Sequence, residues 1–359
     1  MSPKHQLLKQ LSISRIAILR ALPGLGDLLC ALPALRALRK AFPQAHITLI
    51  GLPWARSFVE RFSHYLDEFL EFPGYPGIPE VPLCVEKIPR FLTSVQEQRF
   101  DLALQMHGNG SVINSFTVLL GAQINAGFYL PSHYCPNPDY FLPYPDCKPE
   151  IWRHLHLMDF LGIPLQGDEL EFPLKDEDFA AFSQFPFSTP YVCIHPGASV
   201  PDKRWSLENF AVVADAIAAR GFQIVLTGTA SEANLTQSLA EMMRFKPIDL
   251  AGQTSLGAMA ALLSQASLLV CNDTGVSHLA AALGVKSIVI FTNSSLHRWA
   301  PLNRQIHRSL SSNGIETTDI TDRLFVPSKK SPDTYFSITP EMAIAQVEDL
   351  LDKEVSNVT

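Results

Sequence analysis

The chain of 359 residues is long enough for two domains, because one hydrophobic core rarely organises so many residues. Hydrophobic residues make up 47% of the sequence and charged residues 18%, which is typical of a globular protein and excludes a disordered chain. The net charge of -7 argues against general binding of nucleic acid, which usually needs a basic domain.

The N-terminal part alternates between short apolar runs and helical patterns. RIAILRAL predicts a strand that ends in the glycine turn PGLGD, and LPALRALRKAFP predicts the helix that follows. HITLIG and FDLALQMHG predict two more strands, the second followed by a helix that ends near Gly121. Such alternation indicates a parallel sheet with helices on both faces.

Prolines crowd the chain between about residues 131 and 190, which places a domain boundary there. The alternation then restarts with the predicted strands YVCIHPG, FQIVLTG, LLVCND and SIVIF. We predict an α/β protein with a first Rossmann-like domain over residues 1–165 and a second over residues 166–338. A terminal helix over residues 339–359 is expected to pack back on the first domain. Parallel sheets that face a central cleft would direct their carboxyl ends into it, the usual ligand site.

The cysteines and the apolar runs indicate the cellular compartment in which the protein works. The six cysteines are scattered without CxxC spacing, so neither a zinc site nor a redox motif is indicated, and we expect reduced thiols in a cytoplasmic protein. No apolar run reaches the ~18 residues that predict a transmembrane helix. The first residues, MSPKHQLLKQ, lack the apolar core of a signal peptide.

Basic residues dominate the first forty positions, where Asp27 is the single acid. They form a solvated basic face or a face toward an anionic partner, such as a phosphorylated lipid headgroup at a membrane. The basic residues are Lys4, Lys9, Arg15, Arg20, Arg36, Arg39 and Lys40.

The turn PGLGD contains G-x-G, but Leu29 stands where a dinucleotide-binding fingerprint has its third glycine. An NAD-dependent oxidoreductase is therefore disfavoured. The sequence allows two interpretations of the role of Asp27. Its carboxylate accepts hydrogen bonds from backbone amides of the next turn, or it is a general base at the rim of a cleft.

Two loops of the second half follow predicted strands. In HPGASVPDKRW, Ser199 supplies donors and Lys203 and Arg204 supply positive charge, which suits either a phosphate or a solvated surface loop. In TGTASEANL, Glu232 falls in a first helical turn, where the helix dipole favours a carboxylate. The alternative is that Glu232 accepts hydrogen bonds from ribose hydroxyls.

The motif NDTGVSH joins a predicted buried strand to a helix. Backbone amides at Thr274 and Gly275 are free to bind an anion at the helix N-terminus. Asp273 would repel a phosphate, so we expect it to bind sugar hydroxyls. His278 lies four residues after Thr274 and shares its helix face. Asp-Thr-Gly also marks aspartic proteases, but the motif occurs once here and inside an α/β unit, so that reading is rejected.

Together these segments resemble glycosyltransferase family 9, the ADP-heptose:lipopolysaccharide heptosyltransferases. The resemblance covers most of the chain and rests on four segments in the family's order. The segments are GLGDLLCALPALRALR, HPGASVPDKRWSLENFA, LTGTASE and NDTGVSHLAAALG. FDLALQMHGN and AGF, residues 126–128, are less specific matches.

The resemblance implies a GT-B fold, with an acceptor-side first domain and a nucleotide-sugar-binding second domain. It implies an inverting transfer of a sugar, heptose from ADP-heptose, to a lipopolysaccharide-core or similar glycolipid acceptor, with no metal and no cofactor. Asp27 matches the family's candidate general base, and Lys203 its phosphate-binding lysine. Glu232 matches the carboxylate that binds ribose, and Asp273 one that binds the donor sugar. Thr274, Gly275 and His278 match the diphosphate loop.

Further features bear on this interpretation. His107 and Asn109 end a first-domain strand and are candidates for the acceptor side. The family usually has a Gly-Pro-Thr turn after SIVIF, but this chain has Thr292-Asn293-Ser294, so another nucleotide sugar is the alternative donor.

The alternatives to a transferase are a sugar-nucleotide epimerase and a catalytically silent nucleotide-sugar-binding protein. Because Asp27 and Lys203 lie in different domains, we expect hinge motion near residues 150–190.

Overall fold

The computed structural model describes Leu8, residues 12–183, 185, 187, 190–312, 314–316 and 337–355, without the side chains of residues 314–316 and 353–355. It consists of two compact units, Met1–Glu169 and Leu170–Thr359. The sequence placed the boundary after residue 165. Each unit contains one sheet with helices, as the alternating pattern predicted.

The first unit is built on a six-stranded parallel sheet. Its strands are β1 (Arg15–Leu19), β2 (His46–Gly51), β3 (Glu68–Glu71), β4 (Leu102–Gln105), β5 (Ile124–Tyr129) and β6 (Phe141–Pro143). Its helices are α1 (Leu25–Leu29), α2 (Leu32–Ala41), α3 (Ala55–Arg61), α4 (Lys87–Glu97), α5 (Ile113–Leu119) and α6 (Glu150–Phe160). The strand order is β3-β2-β1-β4-β5-β6.

Among the residues that the structure describes, the second unit has a seven-stranded sheet of order β13-β12-β11-β10-β7-β8-β9, in which only β13 is antiparallel to its neighbour. The strands are β7 (Tyr191–His195), β8 (Gln223–Leu226), β9 (Ile248–Asp249), β10 (Leu268–Asn272), β11 (Ser287–Phe291), β12 (His307–Ser311) and β13 (Gly314–Glu316). The helices are α7 (Asp176–Phe182), α8 (Leu207–Ala219), α9 (Ala233–Met242), α10 (Leu256–Ser264), α11 (Gly275–Leu283), α12 (Leu296–Trp299) and α13 (Pro340–Val355).

Both sheets reverse their strand order once. In the first unit the chain runs outward from β1 to β3 and then returns to β4 beside β1. In the second unit it runs outward from β7 to β9 and returns to β10 beside β7. Loops that follow the two strands at such a reversal diverge, and they leave a crevice where α/β proteins bind ligands. PGLGD follows β1, and NDTGVSH begins at the end of β10.

Central strands are apolar because helices cover them on both faces. All five residues of β10 and of β11 are buried. Helix ends follow the sequence signals: Ser206 accepts a hydrogen bond from the Asn209 amide at the start of α8. Gly284 ends α11 with a φ of 68°, a conformation that glycine adopts without steric cost.

The last helix, α13, packs on the second unit. Ala343, Val347 and Leu350 join a hydrophobic core with Val192 of β7. The indole Nε1–H of Trp205 donates to the carbonyl of Ile338, just before this helix. The apolar face of α13 is thus buried in the core of the second unit. The predicted segment also includes residues 356–359, outside the described part.

Among the described residues, the basic side chains of the first forty positions do not form a single solvated face. Arg20 is fully buried. Arg36 donates to the carbonyls of residues 166 and 169, and Arg39 pairs with Asp67. These arginines fix loops of the first unit, and only Lys40 of the described set is exposed. Lys4 and Lys9 lie outside the described residues. Within the described chain, no helix combines the length and apolarity that a membrane crossing requires.

Candidate functional site

An ion pair joins the loops after β7 and β10, the two strands at the reversal of the second sheet. Lys203 Nζ lies 2.9 Å from Asp273 Oδ2. The Asp273 side chain is only 3% exposed, whereas the Lys203 side chain is 27% exposed. A buried carboxylate requires such a partner, because desolvation of an unpaired charge is costly. The structure therefore places two predicted donor-site residues together, with the ammonium group on the solvent side.

Asn272 holds this arrangement in place. Its side-chain amide donates to the carbonyl of Pro196 over 2.8 Å, and its carbonyl accepts from the backbone amide of Trp205 over 2.9 Å. Both ends of the loop that carries Lys203 are therefore tied to the end of β10. The guanidinium group of Arg204 donates twice to the carbonyl of Ala198 and closes the loop from within. Ser199 is exposed on this loop.

The N-terminus of α11 follows Asp273 directly. Thr274 is the N-cap residue with extended backbone, and Gly275 begins the helix. Both are partly exposed, whereas Val276 and Ser277 of the first turn are buried and the Ser277 amide donates to the Thr274 carbonyl. Anion binding by the amides of Thr274 and Gly275 stays a prediction. His278 is buried one turn further, with its ring edge-on to Trp299 at a centroid distance of 6.1 Å. The role of His278 in binding diphosphate stays a prediction.

Glu232 lies beside this crevice, after β8. Its Oε2 accepts hydrogen bonds from the Thr229 amide and the Thr229 hydroxyl, each at 2.8 Å, which completes a capping box. A Cβ atom at Gly197 would overlap the Glu232 carboxylate, so only glycine at 197 admits it. The carboxylate thus lies against the loop that carries Lys203. The capping role is visible, and the ribose-binding role stays a prediction.

His195, at the end of β7, borders the same carboxylate. Its Nε2 lies 4.0 Å from Glu232 Oε2, and its Nδ1 lies 3.1 Å from the hydroxyl of Thr227. Burial lowers the pKa of His195, and the negative charge of Glu232 opposes that shift. The ring therefore lies beside Glu232 without a direct hydrogen bond to it.

The altered turn after β11 is tied to the lysine loop. The Thr292 hydroxyl donates to the carbonyl of Asp202 over 3.0 Å, next to Lys203. Ser295 accepts a hydrogen bond from the Arg298 amide and caps α12. The Thr-Asn-Ser turn therefore lies at the same edge of the sheet as the loop that carries Lys203.

In the first unit, Asp27 lies on α1 directly after β1 and is supported by Arg20. The guanidinium Nε donates to the Asp27 carbonyl over 2.9 Å, and one terminal nitrogen lies 3.7 Å from Asp27 Oδ1. The same guanidinium donates to the carbonyl of Met106 after β4. Arg20 thus bridges the two strands at which this sheet reverses. The Asp27 side chain remains 20% exposed, and its role as a general base stays a prediction.

Arg20 contacts a buried cluster of Glu150, Arg153 and His154. Glu150 Oε1 is 3.4 Å from the Arg20 guanidinium and 3.4 Å from His154 Nε2, and Glu150 Oε2 is 3.7 Å from Arg153. Burial and the charge of Arg20 lower the pKa of His154 to about 4, so its ring is neutral at pH 7. Glu150 therefore lies between the guanidinium groups of Arg20 and Arg153 in this cluster.

The acceptor-side candidates differ in their contacts. His107 is buried after β4, and its Nδ1 accepts a hydrogen bond from the Ala21 amide over 3.2 Å. Burial and the charge of Arg20 lower the pKa of His107 to about 4. Glu80 faces its other nitrogen, with Oε1 at 3.8 Å from Nε2. The side-chain Oδ1 of Asn109 accepts a hydrogen bond from the Ser111 amide, a local turn contact.

Sequence patterns missed Arg20, Glu150, Asn272 and Glu80 as parts of these sites. A polar residue at the carboxyl end of an apolar strand was the signal for Arg20 and Asn272. Glu150 and Glu80 carried no local signal beyond their place in proline-rich segments. Among the described residues, no group of three or more His, Cys, Asp or Glu side chains could hold a metal ion.

Two Rossmann-like units with polar loops at both strand reversals define a GT-B protein. The model of Glycosyltransferase family 9 (heptosyltransferase) matches residues 88–324. The chain belongs to glycosyltransferase family 9, as the sequence segments predicted.

Named relatives agree with this assignment. Lipopolysaccharide core heptosyltransferase OpsX of Haemophilus influenzae is 26% identical over 40% of this chain and 43% of its own length. The chain thus spans less than half of that relative. Lipopolysaccharide heptosyltransferase 2 of Salmonella typhimurium is 24% identical over 92% of this chain and 96% of its own length.

A solved structure bears out the fold. The chain superposes on Escherichia coli ADP-heptose lps heptosyltransferase II with a TM-score of 0.72, at 21% identity. The superposition covers 95% of this chain and 99% of that structure.

Proposed function

We propose that the protein is an inverting, metal-independent glycosyltransferase that transfers heptose from ADP-heptose to a lipopolysaccharide-core or similar glycan acceptor. The observation that carries the proposal is the Lys203–Asp273 pair beside the N-terminus of α11. It offers a cation and backbone amides to a diphosphate, and a carboxylate to a sugar. The related proteins act on lipopolysaccharide by name, and one is named for ADP-heptose.

The chemistry needs three contributions from the chain. Asp27 takes the proton of an acceptor hydroxyl while the oxygen attacks the anomeric carbon of the donor. The bond from that carbon to the diphosphate oxygen breaks, and the nucleoside diphosphate leaves with the electron pair. Lys203 and the first-turn amides of α11 stabilise the charge that develops on the leaving group. Asp273, already held by Lys203, orients hydroxyls of the donor sugar.

Two finer parts of the proposal concern the donor and the place of action. Thr292 ties the altered turn to Asp202, so this turn lies where it can influence which donor sugar is accepted. For a glycolipid acceptor, we propose that transfer takes place in the cytoplasm, at the inner face of the cytoplasmic membrane. Flotation of the protein with anionic lipid vesicles tests the membrane part, and an absence of vesicle binding at low salt contradicts it.

Thermal melting with ADP, UDP, GDP, CDP and NAD, each with and without EDTA, tests the donor class. Binding to the native state raises the melting temperature by linkage. We expect a shift with ADP that EDTA leaves unchanged, followed by ADP release from ADP-heptose when a core acceptor is added. A shift with UDP or GDP alone removes ADP-heptose as the donor. No shift with any nucleotide overturns the phosphate-loop assignment.

A further inference from the structure

The segment between β3 and α4, residues 72–86, crosses the carboxyl edge of the first sheet. β3 is two strands away from β1, yet the segment packs on the residues after β4. The Tyr75 hydroxyl lies 3.3 Å from the Ser115 hydroxyl, and Ile78 is buried in the same core as Ile113. Gly77 has a φ of 82°, and a Cβ atom there would lie 3.1 Å from Val112. The segment is therefore fixed over the reversal point of the sheet.

This crossing brings Glu80 to His107. Because Nδ1 of His107 accepts from the Ala21 amide, the proton of the neutral ring is on Nε2. That N–H faces Glu80 Oε1 at 3.8 Å, which is too long for a direct hydrogen bond. A donor and an acceptor thus lie side by side without satisfying one another.

The second oxygen of Glu80 strengthens the case. Oε2 is buried and has no hydrogen-bond partner among the described residues. An unsatisfied buried carboxylate oxygen is costly, so native proteins keep one where a water or a ligand completes it. The pair is linked to the candidate base through two hydrogen bonds. His107 accepts from the amide of Ala21, the residue after Arg20, and Arg20 donates to the carbonyl of Asp27.

We propose that Glu80 and His107 bind hydroxyl groups of the acceptor sugar and select an acceptor that is uncharged at this position. One hydroxyl can accept from His107 Nε2–H and donate to Glu80, in the manner of a sugar held by a carboxylate and an imidazole. A phosphate at that point would meet the negative charge of Glu80 and a neutral ring that cannot compensate it. The inference rests on the proposed function and gives the chemical class of the acceptor next to Asp27.

Binding of acceptor without donor tests this inference. The probe is lipopolysaccharide core oligosaccharide freed of lipid, in a dephosphorylated and a phosphorylated form, titrated by calorimetry. We expect the wild-type protein to bind the dephosphorylated form more tightly. Glu80→Gln should weaken that binding by about tenfold or more, because hydrogen bonds to a charged group are the stronger ones. The same variant should bind the two forms with more similar affinity, because the repelling charge is gone.

Controls separate this site from folding and from the proposed activity. Glu86→Gln removes a charge from an exposed position of the same segment and should leave both affinities unchanged. The melting temperature and ADP binding report whether Glu80→Gln folds and retains the second unit. If Glu80→Gln folds and binds both oligosaccharides as the wild type does, the inference is wrong, even if transfer occurs. If the wild-type protein binds oligosaccharide through Glu80 but transfers no heptose, the acceptor site stands and the proposed activity falls.

Discussion

Glu232 has two readings, a helix cap and a ribose ligand, which a pair of substitutions can separate. Its Oε2 accepts two hydrogen bonds from Thr229, and the carboxylate packs against Gly197. Glu232→Ala removes the cap and should lower the free energy of unfolding by about 1–2 kcal/mol. Glu232→Gln keeps an acceptor for Thr229 and should cost less, while it removes the negative charge.

The ribose role predicts a separate effect on nucleotide binding. A hydrogen bond from a ribose hydroxyl to a carboxylate contributes about 1.5–3 kcal/mol, or roughly 10- to 150-fold in affinity. Wild-type protein should therefore bind ADP more tightly than 2′-deoxy-ADP by about that factor. Glu232→Ala should bind the two nucleotides almost equally, because the hydroxyl has lost its partner.

Calorimetric titration of both nucleotides into both proteins gives the coupling energy directly. Urea unfolding of the same samples gives the cost to stability. A variant that loses stability but still prefers ADP over 2′-deoxy-ADP by the wild-type factor would show that the carboxylate is a cap and nothing more. In that case the ribose assignment of Glu232 is refuted, while the Lys203–Asp273 site is untouched.

Three further predictions concern the charged groups of both units. Asp27→Asn should lower the rate of heptose transfer by about 10²- to 10⁴-fold with little change in ADP affinity, since a base acts in the transition state; a silent binding protein would show no transfer in either form. Lys203→Ala should weaken the binding of ADP by about tenfold or more. It also leaves the buried carboxylate of Asp273 unpaired, so the free energy of unfolding should fall. An ADP affinity equal to that of the wild type in titration would contradict the diphosphate role. Burial lowers the pKa of His107, His154 and His307 to about 4, with nearby arginines lowering it further. Because the unfolded chain takes up these protons near pH 6.5, stability should be complete above that pH and fall as the pH decreases toward 4. The loss is on the order of 2 kcal/mol per histidine at pH 5, and urea unfolding at pH 7 and pH 5 checks it; equal stability at both pH values would contradict the burial argument.

The sequence determined the elements and loops whose signals are local. β1, β7, β10 and β11 are short apolar runs closed by polar or glycine-rich turns, and all appear as predicted. The Asp-Thr-Gly turn could be placed at a helix N-terminus because the strand and the helix around it have different periods. The GT-B fold and the family followed from the order of such segments.

Only the tertiary structure decided which of these groups meet. Lys203 and Asp273 are 70 positions apart, and their ion pair depends on β7 and β10 being neighbours. Arg20 was predicted to be a surface charge, but its guanidinium is buried among three acceptors, two of which, the Met106 carbonyl and the Glu150 carboxylate, lie far from it in the sequence. Short edge strands such as β3 and β9 hold too few residues to show a period. Glu80 reaches His107 because its segment crosses two strands, and no pattern in residues 72–86 encodes that path. Local patterns fix periodicity and turns, whereas charge pairing and burial depend on contacts between residues far apart in the sequence.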